Sequence, residues 1–144
     1  MAASRDNNAI LALRGVPFFA ALPDEDVEHL AKKLVPRRYA AGTAIFHLGD
    51  PGGLLYLIGK GKVKISHTTT EGHEVSLAIL GPGDFFGEMA LIDDAPRSAA
   101  AIALEATETW TLHREEFITY LTDNPEFALH VLTTLARHIR RLNA

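Results

Sequence analysis

Residues 86–99 read Phe86-Gly87-Glu88-Met89-Ala90-Leu91-Ile92-Asp93-Asp94-Ala95-Pro96-Arg97-Ser98-Ala99: a glycine entry, one amphipathic turn, a proline stop and an arginine. Gly87, with Gly81 and Gly83 just upstream, lets the backbone take positive φ values and lets a ligand approach it closely. Met89, Leu91 and Ile92 then alternate with small or acidic residues over about one helical turn, and Pro96 stops any continuation. The first amides of such a helix lack internal partners and carry partial positive charge, so they favour an anion, with phosphate the natural candidate. Arg97 adds a permanent charge and a planar fork of donors that fits two phosphate oxygens at once. A carboxylate such as Glu88 is repelled by a phosphate unless it accepts hydrogen bonds from neutral donors, and a ribose 2′-hydroxyl is such a donor. The residues therefore read as a cradle for a cyclic sugar phosphate, with Glu88 on the sugar and Arg97 on the phosphate. Taken singly, Glu88 and Arg97 also fit a surface ion pair worth about 0–1 kcal/mol, and the glycines fit plain turns. Their combination in one short segment favours the cradle.

Outward from this segment the chain is rich in short strands. From Leu34 to about Leu112, runs of Val, Ile, Leu, Thr and Tyr are separated by glycine-containing turns, the pattern of a sandwich or roll. Val63 and Ile65, then Val75, Leu77 and Ile79, alternate with polar or small residues; this predicts strands with one buried face, joined as a hairpin at Thr70-Glu71-Gly72. After the interruption at Gly87 the strands resume over residues 99–104 and 107–112. Helices flank both ends. Residues 6–13 form a short apolar stretch, and Pro23-Asp24 introduces another helix with Asp24 as the expected N-cap. Residues 114–121 form a short helical segment, Asn124-Pro125 supplies a cap and a first-turn proline, and residues 126–142 continue without glycine or proline. Along this last helix Ala128, Leu132, Leu135, Ile139 and Leu142 recur at alternating spacings of four and three, a heptad seam that fits either dimerisation or packing against its own domain.

With Ile58-Gly59-Lys60-Gly61-Lys62-Val63 and Gly81-Pro82-Gly83-Asp84-Phe85-Phe86-Gly87-Glu88 upstream of it, the 86–99 segment resembles the phosphate-binding cassette of cyclic nucleotide-binding domains, specifically those of the bacterial catabolite-activator (Crp/Fnr) regulators. The resemblance runs from about Phe18 to the C-terminus. It implies a mainly β fold with flanking helices, a double-stranded, jelly-roll-like β-helix followed by a C-terminal dimerisation helix. Residues 1–144 would form one sensor domain: N-terminal helices over 5–33, a β-roll over 34–112 containing the cassette at 87–99, and C-terminal helices over 114–142. By the same resemblance Glu88 binds the ribose 2′-hydroxyl, Arg97 and Ser98 lie at the cyclic phosphate, and backbone amides around Gly87, Met89, Ala90 and Ala99 complete the cradle. Ile65, Ala78 and Leu80 take positions that line the apolar side of the pocket, which core packing explains equally well.

The implied effector is cAMP or cGMP, and Ser98, where threonine accompanies cGMP preference, favours cAMP. Leu142 and Asn143 fall where the activators place two base-facing hydroxyls, so the chain departs from the pattern there. The resemblance also implies a homodimer paired through the last helix, which ligand binding repositions, and contact with DNA only through a domain absent from this chain. The helical pattern is still running at residue 144, as expected of a sensor cut before such a domain; a stand-alone sensor would look the same.

Composition narrows the alternatives. A chain of 144 residues suits one domain and buries ~68–70% of its extended surface. Without cysteine it has no disulfide or thiolate-held iron–sulfur cluster, which removes the oxygen-sensing branch of the family. No apolar run approaches ~20 residues, and the N-terminal Arg5, Asp6, Asn7 and Asn8 do not resemble a signal peptide, so the expected location is cytoplasmic, away from membranes. A net charge of −4 gives no overall pull toward nucleic acid, although Arg137, Arg140 and Arg141 cluster. The histidines, at 29, 47, 67, 73, 113, 130 and 138, lack H-E-x-x-H spacing, and His67, His73 and Glu74 lack the H-x-H of a cupin metal site. No metal and no catalytic residue are therefore expected. The rivals to a sensor are a cupin-like metal-dependent β-roll enzyme and a structural dimerisation domain with a vestigial pocket.

Overall fold

The computed structural model describes the backbone of residues 2–143, and the side chains of all of these except 2–6, 89, 90, 138 and 141–143. The element order is α1 (Ala2–Arg14), α2 (Pro17–Ala20), α3 (Asp24–Ala31), β1 (Val35–Tyr39), β2 (Ala44–Phe46), β3 (Leu54–Lys60), β4 (Val63–Thr68), β5 (Glu74–Leu80), β6 (Phe85–Phe86), α4 (Glu88–Asp93), β7 (Ala100–Ala103), β8 (Thr107–His113), α5 (Arg114–Asp123) and α6 (Pro125–Asn143). These elements form two units, Met1–Lys33 with Glu115–Ala144, and Leu34–Arg114.

In the helical unit, Pro17 starts α2 with its φ already preset, and the two phenylalanines that follow are buried. They meet residues from the far end of the chain: Phe19 stacks on Phe127 at 5.6 Å between ring centroids, and Phe18 meets Phe117 and Phe127 edge-on at 6.2 and 6.0 Å. Edge-to-face and offset stacking are the preferred geometries of such rings, and they tie α2 to α5 and α6. Asp24 is not the N-cap of α3. Pro23 holds that position without a side-chain bond, and Asp24, inside the first turn, pairs with Arg14. Arg14 also donates to the carbonyls of Ala20 and Leu22, each at 3.0 Å. The Asp24 carboxylate is engaged by this cation and makes no capping bond.

The second unit is the β-roll, two four-stranded antiparallel sheets ordered β1-β8-β3-β6 and β2-β7-β4-β5. Its core joins Phe46, Val63 and Ala101 of one sheet to Tyr56, Ile58 and Phe86 of the other. The β4–β5 hairpin forms where Thr70-Glu71-Gly72 predicts it, with the Gly72 amide donating to Thr69 at 2.9 Å.

The expected buried face of β5 is reversed. Val75, Leu77 and Ile79 are 45%, 58% and 63% exposed, while Ala78 and Leu80 alternate with them and are half-buried. β5 lies at a sheet edge, and a register shift between Ile65 and Ser66 leaves its pairing with β4 irregular. A period of two shows that the faces differ but not which one is inside, and one residue of slip exchanges them. Leu77→Lys is therefore expected to change unfolding free energy by no more than about 0.5 kcal/mol in urea titrations, where a buried leucine would cost several times that.

Candidate functional site

The cassette lies in the β-roll between β6 and β7. Gly87 is the N-cap of α4 with φ 90°, a conformation that L side chains rarely adopt. A Cβ there would lie 2.7 Å from Arg97 Nη1 and 2.9 Å from the Leu54 carbonyl oxygen. Of the other two glycines expected to be unusual, Gly83 has φ 89°, whereas Gly81 does not have positive φ; its amide instead donates to the Asp84 carboxylate at 2.9 Å.

At its far end α4 is held by the fully buried Leu91, whose carbonyl accepts the Arg114 Nε–H at 2.8 Å. Arg114 also lies 3.7 Å from Asp94, the residue that ends the helix in the left-handed region at φ 57°. Asp93 accepts the Ala95 amide at 3.0 Å, and this side-chain turn leads the chain on to Arg97.

Arg97 is the centre of the arrangement and is only 4% exposed. Its backbone is clamped by the turn after β2: the Arg97 amide donates to the Asp50 carbonyl and the Gly49 amide donates to the Arg97 carbonyl, each at 2.8 Å. Its side chain donates from Nη1 to the Gly87 carbonyl at 3.1 Å and from Nη2 to the Leu54 carbonyl at 2.9 Å. Its Cζ lies 4.2 Å from the centroid of the Phe46 ring and 5.6 Å from that of Tyr56. Nε is buried and has no hydrogen-bond partner. Burial pulls the guanidinium below its ordinary pKa, while Tyr56, Glu88 and Asp50 act to raise it. Burial likewise pushes the Tyr56 hydroxyl up. A buried cation whose donors are not all used is costly, and an anion within reach of those donors would offset the cost.

The structure thus brings Gly87, Glu88 and Arg97 together. Glu88 is half-buried at the first position of α4 and acts electrostatically on Arg97. Ile65 and Leu80 pack against the core cluster containing Phe46 and Tyr56, and Ala78 pairs with Ile65 across the β4–β5 ladder. Ser98 is exposed and Ala99 half-buried just before β7. The backbones of Met89 and Ala90 belong to the first turn of α4, and their side chains lie outside the described residues.

On α6, Leu132 and Ile139 are 61% and 56% exposed, while Ala128 and Leu135 are half-buried. The side chains of Leu142 and Asn143 lie outside the described residues. The helix face buried within its own unit carries Phe127 and Val131 instead. Among the described residues no three or more His, Cys, Asp or Glu are grouped to hold a metal ion, and no helix is long and apolar enough to cross a membrane.

Sequence reasoning missed Phe46, Tyr56, the Leu54 carbonyl and Arg114, and read a turn at Gly49 without linking it to Arg97. The only local signal was the Gly49-Asp50 turn dipeptide; nothing local shows that Phe46 and Arg97 meet.

A family model described as a cyclic nucleotide-binding domain matches residues 36–124. The cyclic AMP receptor protein of Thermus thermophilus is 41% identical over 89% of this chain and 59% of its own length. A cAMP-activated global transcriptional regulator of Mycobacterium tuberculosis is 35% identical over 93% of this chain and again 59% of its own length. The crystal structure of the Thermus thermophilus catabolite activator protein superposes with a TM-score of 0.80 at 40% identity, covering 88% of this chain and 60% of that one. The chain therefore spans about three fifths of the length of each of these relatives.

Proposed function

This chain belongs to the cyclic nucleotide-binding domain family, and from that premise we propose that residues 1–144 form a cytoplasmic sensor module for cAMP in a Crp/Fnr-type transcription regulator. The observation that carries the reading is the buried Arg97 guanidinium with Nε unpartnered. The cyclic phosphate of the ligand supplies the missing acceptor at Arg97. The backbone amides around Gly87, Met89, Ala90 and Ala99 share the remaining charge. Glu88 accepts the ribose 2′-hydroxyl, and Ile65, Ala78 and Leu80 face the apolar side of the nucleotide.

Ser98 in place of threonine favours cAMP over cGMP. Ligand binding shifts a conformational equilibrium through contacts that differ between the empty and filled site, and we assign α6 as the element that responds. The chain senses and does not catalyse, and any DNA contact is assigned to a domain outside these residues.

Calorimetric titration with cAMP, cGMP and 2′-deoxy-cAMP tests the assignment. The expected order is cAMP tightest, with 2′-deoxy-cAMP weaker by about tenfold or more, the worth of a hydrogen bond to a charged acceptor. Glu88→Gln is expected to weaken cAMP by a similar factor and leave 2′-deoxy-cAMP nearly unchanged. Absence of binding at millimolar nucleotide overturns the reading. Stoichiometric metal in elemental analysis would favour the β-roll enzyme instead.

The exposed Leu132 and Ile139 support a homodimer through Ala128, Leu132, Leu135, Ile139 and Leu142. Leu132→Glu with Ile139→Glu is expected to shift sedimentation from dimer to monomer. A wild-type chain that sediments as a monomer removes this part of the proposal.

A further inference from the structure

Two hydrogen bonds to carbonyls fix the in-plane ends of the Arg97 guanidinium, but they do not stop the group from tilting out of its plane. The ring of Phe46 stands in the position that would. We propose that Phe46 is a positioning residue for the ligand: its aromatic face, backed by Tyr56 and Phe86, holds the Arg97 guanidinium in the orientation that receives the anionic phosphate. The inference rests on the cyclic nucleotide reading of the site.

The geometry has three parts. The guanidinium carbon lies 4.2 Å from the Phe46 centroid and 5.6 Å from that of Tyr56, both within the ~6 Å over which a ring quadrupole attracts a cation. The rings pack on one another: Tyr56 and Phe86 stack nearly parallel, 5° apart at 4.8 Å, and Phe46 lies 5.7 and 5.9 Å from them. All three belong to the β-roll core and are carried by strands β2, β3 and β6, with Phe86 at the entry to the cassette.

A desolvated cation over a ring is stabilised far more than an exposed one, and Arg97 is nearly fully buried. An aliphatic side chain of similar bulk would fill the space without attracting the cation. The guanidinium would then sample other tilts, and part of the ligand's binding energy would be spent on restoring one of them.

Replacing Phe46 with 4-fluoro-, 3,5-difluoro- and 3,4,5-trifluorophenylalanine in the full chain weakens the ring's negative face stepwise at nearly constant volume. The affinity for cAMP is expected to fall stepwise by about tenfold across the series. A packing role predicts no such trend. Side-chain 15N spectra of the ligand-free protein supply a second readout: Phe46→Leu is expected to speed guanidinium rotation in Arg97 and to remove the ring-current shift of its Nε–H.

Wild-type binding that Arg97→Ala abolishes, combined with a flat fluorination series, overturns the role of Phe46 and leaves the nucleotide reading standing. Wild-type protein that binds no nucleotide overturns the nucleotide reading and the ligand role of Phe46 with it. Unchanged Arg97 rotation in Phe46→Leu overturns the positioning claim whether or not ligand binds.

Discussion

Arg97→Ala is expected to weaken cAMP binding by about 2–5 kcal/mol, a loss of roughly thirtyfold to several thousandfold in affinity, measured by calorimetric titration. The size follows from burial. At 4% exposure the guanidinium has little water to exchange for the phosphate, so removing it leaves the phosphate's charge without a cation at the same depth. Arg97→Lys is expected to recover little of the loss. A lysine carries a point charge, whereas Arg97 donates to the carbonyls of Gly87 and Leu54 and still holds Nε–H in reserve. The thermal midpoint of Arg97→Ala is expected to move only slightly, because release from burying a charge offsets the lost contacts with the Phe46 ring and the two carbonyls. Wild-type affinity in this variant would remove the phosphate assignment.

Gly87→Ala is expected to destabilise the β-roll unit by about 2–4 kcal/mol and to impair binding with it. Two costs add. A Cβ at φ 90° forces an L residue into a conformation it rarely adopts, and that same Cβ meets Arg97 Nη1 at 2.7 Å and the Leu54 oxygen at 2.9 Å. The arginine end could swing aside, at the expense of the site, but the Leu54 oxygen belongs to the backbone of β3. Gly83→Ala provides the control. Its φ of 89° is nearly the same and nothing lies within 4 Å of the added Cβ, so it carries the backbone cost alone, about 1 kcal/mol. Urea denaturation of the two variants therefore separates crowding from strain. Equal destabilisation would mean that the tight approach of Gly87 to Arg97 has no energetic weight.

The cassette was legible because its chemistry is local. Glycine, helix start, proline and arginine stand within one short segment, and each imposes its own backbone or charge constraint on its neighbours. The β4–β5 hairpin and the proline-started α6 were legible for the same reason. The outer face of β5 was not, since Val75, Leu77 and Ile79 form as good an alternating stripe as a buried one would. The N-cap of α3 failed in a similar way: Asp24 has the right chemistry for a cap, but Arg14 competes for it from α1.

By itself, the sequence determined the element types, the roll and the glycine-led turn into a short helix ahead of Arg97, because backbone preferences act over a few residues. Only the tertiary structure decided that Arg97 is buried, that the Gly49-Asp50 turn clamps its backbone, and that Phe46 and Tyr56 lie against its guanidinium. These contacts join segments distant in sequence. Burial and cation–ring attraction depend on which surfaces the two sheets close upon, and that closure leaves no local trace along the chain.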